Sequence, residues 1–387
     1  MLRPYHFITI SKNGEHMPRE LLKGNQAIAE AAIRAGLEAY FGYPITPQTE
    51  VLEHLSKRLP ELGRTFVQAE SEVAAINMVY GAACTGVRVM STSSSPGISL
   101  MLEGLSYIIG TEIPVVLVNV MRGGPGLGNI APSQGDYNQA VHGGGHGDYN
   151  PIVLAPSTVQ EAIDMTVLSF DLAERYRTAC IIIADGSIGQ MMEPAELPEM
   201  RPVKRKDWDW ATNGAIGRER RILSSIYIDP VDEEVTNLRM FKRWQEVQKN
   251  EVRYKEYYLD DADYVVVGFG TAGRVALSAV RTARQQGIKV GLLRPITVSP
   301  FPYDVLDKLS KQAQAFLVVE MNMGQMLNDV QLAVKGHVPV EFHGRPGGMV
   351  PFPDEILNEI NRIATTELSI VSDPRHAWAE RMAEILK

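Results

Sequence analysis

The sequence predicts a layered α/β fold: a mostly parallel sheet with helices on both faces, followed by a second, smaller α/β unit. Three observations carry this expectation. From Gly24 onward helical and strand-like stretches alternate, the pattern of parallel sheets built by crossovers. Five of the strand-like stretches run into loops rich in Gly, Pro, Ser or charged residues. A strand, a glycine turn and a helix then start afresh at 262–287. With 387 residues, 45% of them hydrophobic and 22% charged, the chain has material for two or three cores and no need of disulfide staples.

Taken in order, GNQAIAEAAIRAG (24–36) places apolar residues at helical spacing and stops at Gly36, where glycine accepts positive φ. AYFGYP (39–44) reads as a buried strand entering a loop. TFVQAE (65–70) leads into a helix-like stretch at 71–86, and VRVMSTSSSPG (87–97) is a strand entering a polar loop. PVVLVNVMRGGPGLG (114–128), IVLAPS (152–157) with its helix to about 176, and ACIIIADG (179–186) complete the first unit. Prolines at 194, 198 and 202, the run KRKDWDW and a charged amphipathic stretch at 239–258 read as a joining segment. The expected divisions are an N-terminal extension at 1–23, a first domain at 24–195, a joining segment at 196–258 and a second domain at 259–387. The last contains strands at 289–295 and 315–322.

The 46 acidic residues outnumber the 38 basic ones, and the net charge of −8 is the wrong sign for a nucleic-acid surface. Two cysteines, Cys84 and Cys180, cannot supply the four thiolates of an iron–sulfur cluster. The N-terminus has no signal-like apolar core, and the longest apolar runs are too short to cross a bilayer. A cytoplasmic location is the expectation.

Parallel sheets bind ligands at their carboxyl edge, so the chemistry is sought there. GFGTAG (268–273) meets the dinucleotide turn pattern, but the next strand ends Leu-Leu-Arg-Pro (292–295) without the carboxylate that would hold a ribose. It reads as a tight strand-to-helix turn. His142 and His146 have a helical ligand spacing, yet three glycines separate them and disfavour a helix, so no metal is expected. Asp185-Gly186 with Asn213 is a poor match to a magnesium–diphosphate motif. The serine-rich turn at 91–97 lacks a nucleophile elbow and reads as a ligand-lining or ordinary loop. Glu70 and Glu72 stand between an apolar strand and an apolar helix, where a carboxylate needs a neutralising partner or serves as a helix cap. Arg122 follows a buried strand directly, placed to receive an anion or to pair with an internal carboxylate.

FGYPITPQ (41–48), QAESEVAAINMVYGAA (68–83), STSSSPGISLMLEG (91–104), NVMRGGPGLG (119–128), HGGGHGDY (142–149), DGSIGQMMEP (185–194), LRPITVSPFP (293–302) and VVEMNMGQM (318–326) resemble, in order over about 24–360, the α subunit of 2-oxoacid:ferredoxin oxidoreductases. The similarity is strongest to the α-type subunits of the 2-ketoisovalerate enzymes. The resemblance implies a pyrimidine-binding domain for thiamine diphosphate, followed by a domain like the C-terminal domain of transketolase. It implies oxidative decarboxylation of a 2-oxoacid, of 2-ketoisovalerate or 2-oxoglutarate type, to acyl-coenzyme A and CO2, with electrons passed to ferredoxin.

By the same resemblance Glu72 hydrogen-bonds the pyrimidine ring nitrogen and so promotes proton removal from the thiazolium. Thr46 and Arg122 receive the substrate carboxylate, and Tyr43, Pro44, Ser94 and Ser95 line the cofactor. Mg2+ and [4Fe-4S] clusters are expected on partner subunits. Those partners are a diphosphate-binding β subunit, a separate γ subunit and a ferredoxin-like δ subunit, in a dimer of hetero-oligomers. Two other readings stay open: a β-type subunit of an NAD-linked 2-oxoacid dehydrogenase, and a non-catalytic assembly subunit.

Overall fold

The computed structural model describes residues 19–203 and 208–385. Most of the expected N-terminal extension, and 204–207 of the joining segment, lie outside the described residues. The first unit runs β1 (Glu20–Lys23), α1 (Gly24–Arg34), β2 (Ala39–Gly42), α2 (Thr49–Glu61), β3 (Thr65–Gln68), α3 (Glu72–Cys84), β4 (Val89–Ser93), α4 (Pro96–Gly110), β5 (Val115–Met121), α5 (Tyr137–Val141), β6 (Ile152–Leu154), α6 (Val159–Tyr176), β7 (Ala179–Asp185), α7 (Gly186–Gln190) and β8 (Met192–Ala195). After an irregular stretch come α8 (Pro230–Asn250), β9 (Tyr254–Tyr257), β10 (Tyr264–Val267), α9 (Gly270–Gln285), β11 (Val290–Pro295), β12 (Thr297–Ser299), α10 (Tyr303–Ser310), β13 (Ala315–Glu320), α11 (Met326–Val334), β14 (Val340–Gly344), α12 (Pro353–Thr365) and α13 (Arg375–Ile385).

The large sheet has seven strands in the order β12-β6-β7-β5-β4-β2-β3, and the second has five in the order β14-β13-β10-β11-β9. All neighbours in these two sheets are parallel except β12 on β6 and β9 on β11. Strand β5 shows why two helical layers form. Val116, Val118 and Val120 join Ile28, Ile33, Leu55 and Leu59 on one face, while Val115, Leu117 and Met121 join Ile76, Met101 and Leu105 on the other. Alternate residues of a strand point to opposite faces, so an unbroken apolar run needs cover on both sides. Each such side chain, fully buried, contributes about 1.5–3 kcal/mol. Gly36 ends the first helix at φ 91°, as its position after α1 requires.

The second sheet shares this core. Val265, Val267, Phe269, Phe316 and Val318 belong to the same buried cluster as Leu117, Ile181 and Tyr137, and the rings of Tyr137 and Phe269 meet at a tilt, 5.6 Å between centroids. Chain order and packing also diverge: Thr297–Ser299, within the second unit by sequence, adds an edge strand to the first sheet. Tyr254–Tyr257, within the expected joining segment, is an edge strand of the second sheet. The amphipathic stretch begins earlier than 239, as the helix α8, because Asp229 caps its N-terminus and Pro230 occupies the first turn.

The glycine turn at 268–273 is filled from inside the protein. Gly270 sits at φ 52°, and a Cβ there would lie 2.8 Å from the Gln134 amide and 3.0 Å from the Asp185 carboxylate. That carboxylate accepts from the Thr271 backbone N–H at 3.0 Å and its hydroxyl at 2.7 Å. Gln134 donates to the Phe269 carbonyl at 2.9 Å. The helix N-terminus where a phosphate would dock thus holds a carboxylate of the first unit. Asp185 also caps α7, whereas Asn213 accepts from Arg218, so the two residues do not converge on a magnesium site. His142 lies 3.0 Å from Asp329, and Ser106 donates to the backbone carbonyl of His146. Among the described residues no helix is long and apolar enough to cross a membrane.

Candidate active site

Strands β3, β2, β4 and β5 are neighbours, and their register brings their carboxyl ends level: Gly42 pairs with Gln68, and Ser93 with Asn119. Each strand end delivers one expected residue group to the same edge. The loop after β2 carries Tyr43, Pro44 and Thr46; α3 opens with Glu72; the β4–α4 turn holds Ser94 and Ser95; Arg122 follows β5.

Glu72 is the first residue of α3, whose N-terminus is capped by the Ser71 hydroxyl accepting from Ala74 at 3.1 Å. It is only 6% exposed, and no hydrogen bond or ion pair to its carboxylate occurs among the described residues. Glu70 is exposed, which separates the two acids that spacing left equivalent. Close to Glu72, across Gly97, stands the Ser93 hydroxyl, buried and without a partner, and the next residue, Ser94, keeps a second such hydroxyl. Gly97 lets Ser93 and Glu72 approach its backbone, because a Cβ there would lie 2.1 Å from the Ser93 hydroxyl and 2.6 Å from the Glu72 carboxylate. Unpaired buried polar atoms cost on the order of 1–3 kcal/mol each, so the Ser93 and Ser94 hydroxyls at the end of one strand mark an edge suited to a polar ligand.

Ser95 is held at φ 23°, ψ −81°, a conformation that only a dense hydrogen-bond set sustains. Its N–H donates to Asn119 at 3.0 Å, its hydroxyl donates to Asp136 at 2.6 Å, and the hydroxyl oxygen accepts from the Arg122 N–H at 3.0 Å. Asn119 completes the set by donating to Asp136 at 2.8 Å. Burial pushes the Asp136 carboxyl up, while Ser95, Asn119 and the Arg122 charge oppose the rise.

Arg122 is buried, donates to the Thr46 carbonyl at 2.9 Å and the Leu127 carbonyl at 3.0 Å, and keeps a buried Nε without a partner. No ion pair to it occurs among the described residues; Asp136 is near enough for the two charges to interact without a direct contact. The guanidinium is clamped in place by carbonyls with no carboxylate in direct contact. The Thr46 side chain and Tyr43 are exposed, and Pro44 is half-buried. They rim the site and do not floor it.

Sequence reasoning missed Asn119 and Asp136, while Ser93 and Gly97 fall in the serine-rich turn at 91–97 that it read as a ligand-lining or ordinary loop. Of the two missed, Asn119 left a signal, as the one polar residue within the apolar run of β5. Asp136 lies on no motif, and the fold alone brings it to Ser95.

Comparison with known proteins bears on both units. Residues 30–257 match the family described as pyruvate flavodoxin/ferredoxin oxidoreductase, thiamine diphosphate-binding, and 262–369 match pyruvate:ferredoxin oxidoreductase core domain II. The ketoisovalerate oxidoreductase subunit VorB of Methanothermobacter thermautotrophicus is 49% identical over 348 residues, 90% of this chain and 99% of that one. The 2-oxoglutarate synthase subunit KorA of Methanothermobacter marburgensis is 36% identical, covering 88% and 97%. Among solved structures, 2-oxoglutarate:ferredoxin oxidoreductase from Magnetococcus marinus, with 2-oxoglutarate, coenzyme A and succinyl-CoA bound, superimposes with a TM-score of 0.81 at 27% identity, over 89% of this chain and 65% of that one. A split-gene transketolase, at a TM-score of 0.55 and 12% identity, shares the fold.

Proposed function

The chain belongs to the pyruvate flavodoxin/ferredoxin oxidoreductase family, and on that premise we propose how its carboxyl edge serves catalysis. It is the α subunit of a 2-oxoacid:ferredoxin oxidoreductase of the ketoisovalerate or 2-oxoglutarate type, a multisubunit enzyme that decarboxylates its substrate oxidatively to acyl-CoA. We read its substrate as a branched-chain 2-oxoacid, since identity to the ketoisovalerate subunit, 49%, exceeds that to the 2-oxoglutarate subunit, 36%.

The observation that carries the site assignment is Glu72: a buried residue whose carboxylate has no hydrogen bond or ion pair among the described residues and lies with the unpaired Ser93 hydroxyl against Gly97. These donors and acceptors fit the aminopyrimidine of thiamine diphosphate. When bound, that cofactor supplies a nucleophilic carbon and an electron sink for decarboxylation. Glu72 shares a proton with the pyrimidine ring nitrogen and thereby sets its tautomer. Ser94 and Ser95, at the head of α4, orient the ring from the neighbouring strand end. Arg122 and the Thr46 hydroxyl receive the substrate carboxylate, a cation and a donor fixed on separate loops and needing no metal of their own. Tyr43 and Pro44 shape the rim.

Exposed apolar side chains surround this edge: Val73 on α3, Leu100 on α4, and Leu127 and Ile130 in the loop after Arg122. Such a rim suits a partner chain closing over the cofactor. We assign the diphosphate and Mg2+ to a β subunit. The [4Fe-4S] clusters go to further partners, because this chain has only two cysteines and burial pushes the Cys180 thiol up to about 12. The assembly we infer is a dimer of hetero-oligomers with γ and ferredoxin-like δ subunits.

The test is coenzyme-A-dependent reduction of an electron acceptor by the purified assembly across a 2-oxoacid panel. Branched-chain substrates should give the highest kcat/KM; a maximum with 2-oxoglutarate would reject the substrate assignment. Arg122→Ala should raise KM for the 2-oxoacid about 10–100-fold, the worth of a charge-assisted contact, with a smaller effect on kcat. A fall in Tm at unchanged KM would make Arg122 structural only. Gly97→Ala pushes a methyl between Ser93 and Glu72, so thiamine diphosphate affinity measured by calorimetry should fall tenfold or more. Unaltered affinity would move the ring elsewhere.

A further inference from the structure

Helix α8 packs on the protein by one face and, among the described residues, leaves a second apolar stripe largely exposed. Thr236 and Val247 are buried against the body, and Arg239 and Arg243 both pair with Glu112. Away from these contacts Val231, Val235 and Leu238 form an exposed stripe at helical spacing, Leu238 being 62% exposed, and Phe241 extends its edge; Val231, Leu238 and Phe241 also border a cleft whose other wall carries Tyr149 and Tyr176. Ile226 and Ile228 continue the apolar surface just ahead of the helix, the latter 99% exposed. An amphipathic helix normally hides one such stripe; this one carries a second that needs cover.

The charges along α8 identify what covers it. Its first turns are acidic, with Asp232, Glu233 and Glu234, and its later turns are basic, with Arg239, Lys242, Arg243 and Lys249 against a single Glu246. A helix of this kind is complementary to itself when reversed. If two copies lie antiparallel with Leu238 at the crossing point, Val235 meets Phe241 of the second copy, Glu234 meets Lys242, and Val231 meets the uncharged Gln245. No like charges oppose each other across that seam. An isologous contact requires this self-matching, and a surface evolved for an unrelated chain does not.

We propose that the α8 face is the two-fold contact between two copies of this chain, with Leu238 on the axis. The inference rests on the reading that the assembly contains two copies. It is independent of the cofactor site, since α8 contributes none of the residues placed there.

The experiment is disulfide trapping in the purified assembly. Under mild oxidation Leu238→Cys should link to itself, giving a denatured species of twice the chain mass that wild type, with Cys84 and Cys180, does not give. Val235→Cys mixed with Phe241→Cys should link, and each alone should link far less. In parallel, Glu234→Lys should weaken the association of the two copies at least tenfold by sedimentation, and Glu234→Lys/Lys242→Glu should restore it. Linkage of the Leu238→Cys thiol to a different subunit would overturn the proposal. So would two copies per particle in which that introduced thiol stays unlinked and open to maleimide. A single copy per wild-type particle would instead sink the reading on which it rests.

Discussion

Replacing Glu72 by Gln is expected to lower turnover of the assembled enzyme by about 10²–10⁴-fold, the usual contribution of a positioned proton-sharing group. Glutamine keeps the shape and the hydrogen-bonding reach but cannot exchange a proton with a ring nitrogen. Among the described residues Glu72 makes no bond within the chain, so its replacement removes no internal partner, and assembly and Tm should stay near wild type. Sedimentation and thermal melting check the second half of the expectation, and coenzyme-A-dependent acceptor reduction checks the first. Turnover within a few-fold of wild type would take Glu72 out of the mechanism.

The largest expected loss of stability lies far from this edge, at Arg294. Its side chain is 2% exposed and pairs with Glu161, itself 7% exposed; Lys255 reaches the same carboxylate at 2.7 Å. Ser157 donates to the carboxylate's other oxygen through its N–H at 3.0 Å and its hydroxyl at 2.9 Å. Arg294 lies near the end of β11 in the second sheet and Glu161 on α6 of the first unit, so the pair ties one to the other. Arg294→Leu leaves a buried carboxylate with Lys255 as its remaining cation and should cost about 3 kcal/mol at neutral pH.

The pH dependence follows from the same pair. Burial would raise the Glu161 carboxyl, but the charges of Arg294 and Lys255 and the Ser157 contacts outweigh it and hold the group at about 2, below its ordinary 4.5. A depressed carboxyl stabilises the fold above its unfolded value and loses that contribution as pH falls toward the folded one. Wild type should therefore weaken between about pH 5 and pH 2 more steeply than Arg294→Leu, whose stability curve starts lower and runs flatter. Urea unfolding across that range measures both. Parallel curves for the two proteins would show that the pair contributes nothing specific.

Particular residues show what is legible in the sequence and what is not. The run Val115–Met121 announces a strand covered on both faces, and the rule that ligands gather where parallel strands end directs attention to the edge that carries Glu72, Ser94, Ser95 and Arg122. That reasoning works because strand direction and crossover handedness are local properties. It separates Glu70 from Glu72 only through family resemblance, since alternation alone does not say which one faces inward. Asp136 is invisible because the loop that delivers it to Ser95 has no periodicity to read. The antiparallel edge strands Tyr254–Tyr257 and Thr297–Ser299 escape for a related reason: three or four residues carry too little pattern to say which sheet they join. The glycine turn at 268–273 lacks a ribose carboxylate, which already argues against a nucleotide, yet its actual occupant, Asp185, lies in the other unit and leaves no trace in the turn's own sequence.

The merged hydrophobic cluster beneath Tyr137 and Phe269 has a bearing on how such enzymes can be dissected. A fragment cut near residue 258 would keep the α10 and α11 side chains that pack on Phe316 and Val318, but Phe269 would lose the Tyr137 ring and the rest of the first unit's share of the cluster. Swapping the C-terminal half between homologues would demand that the partner of Phe269 travel with it.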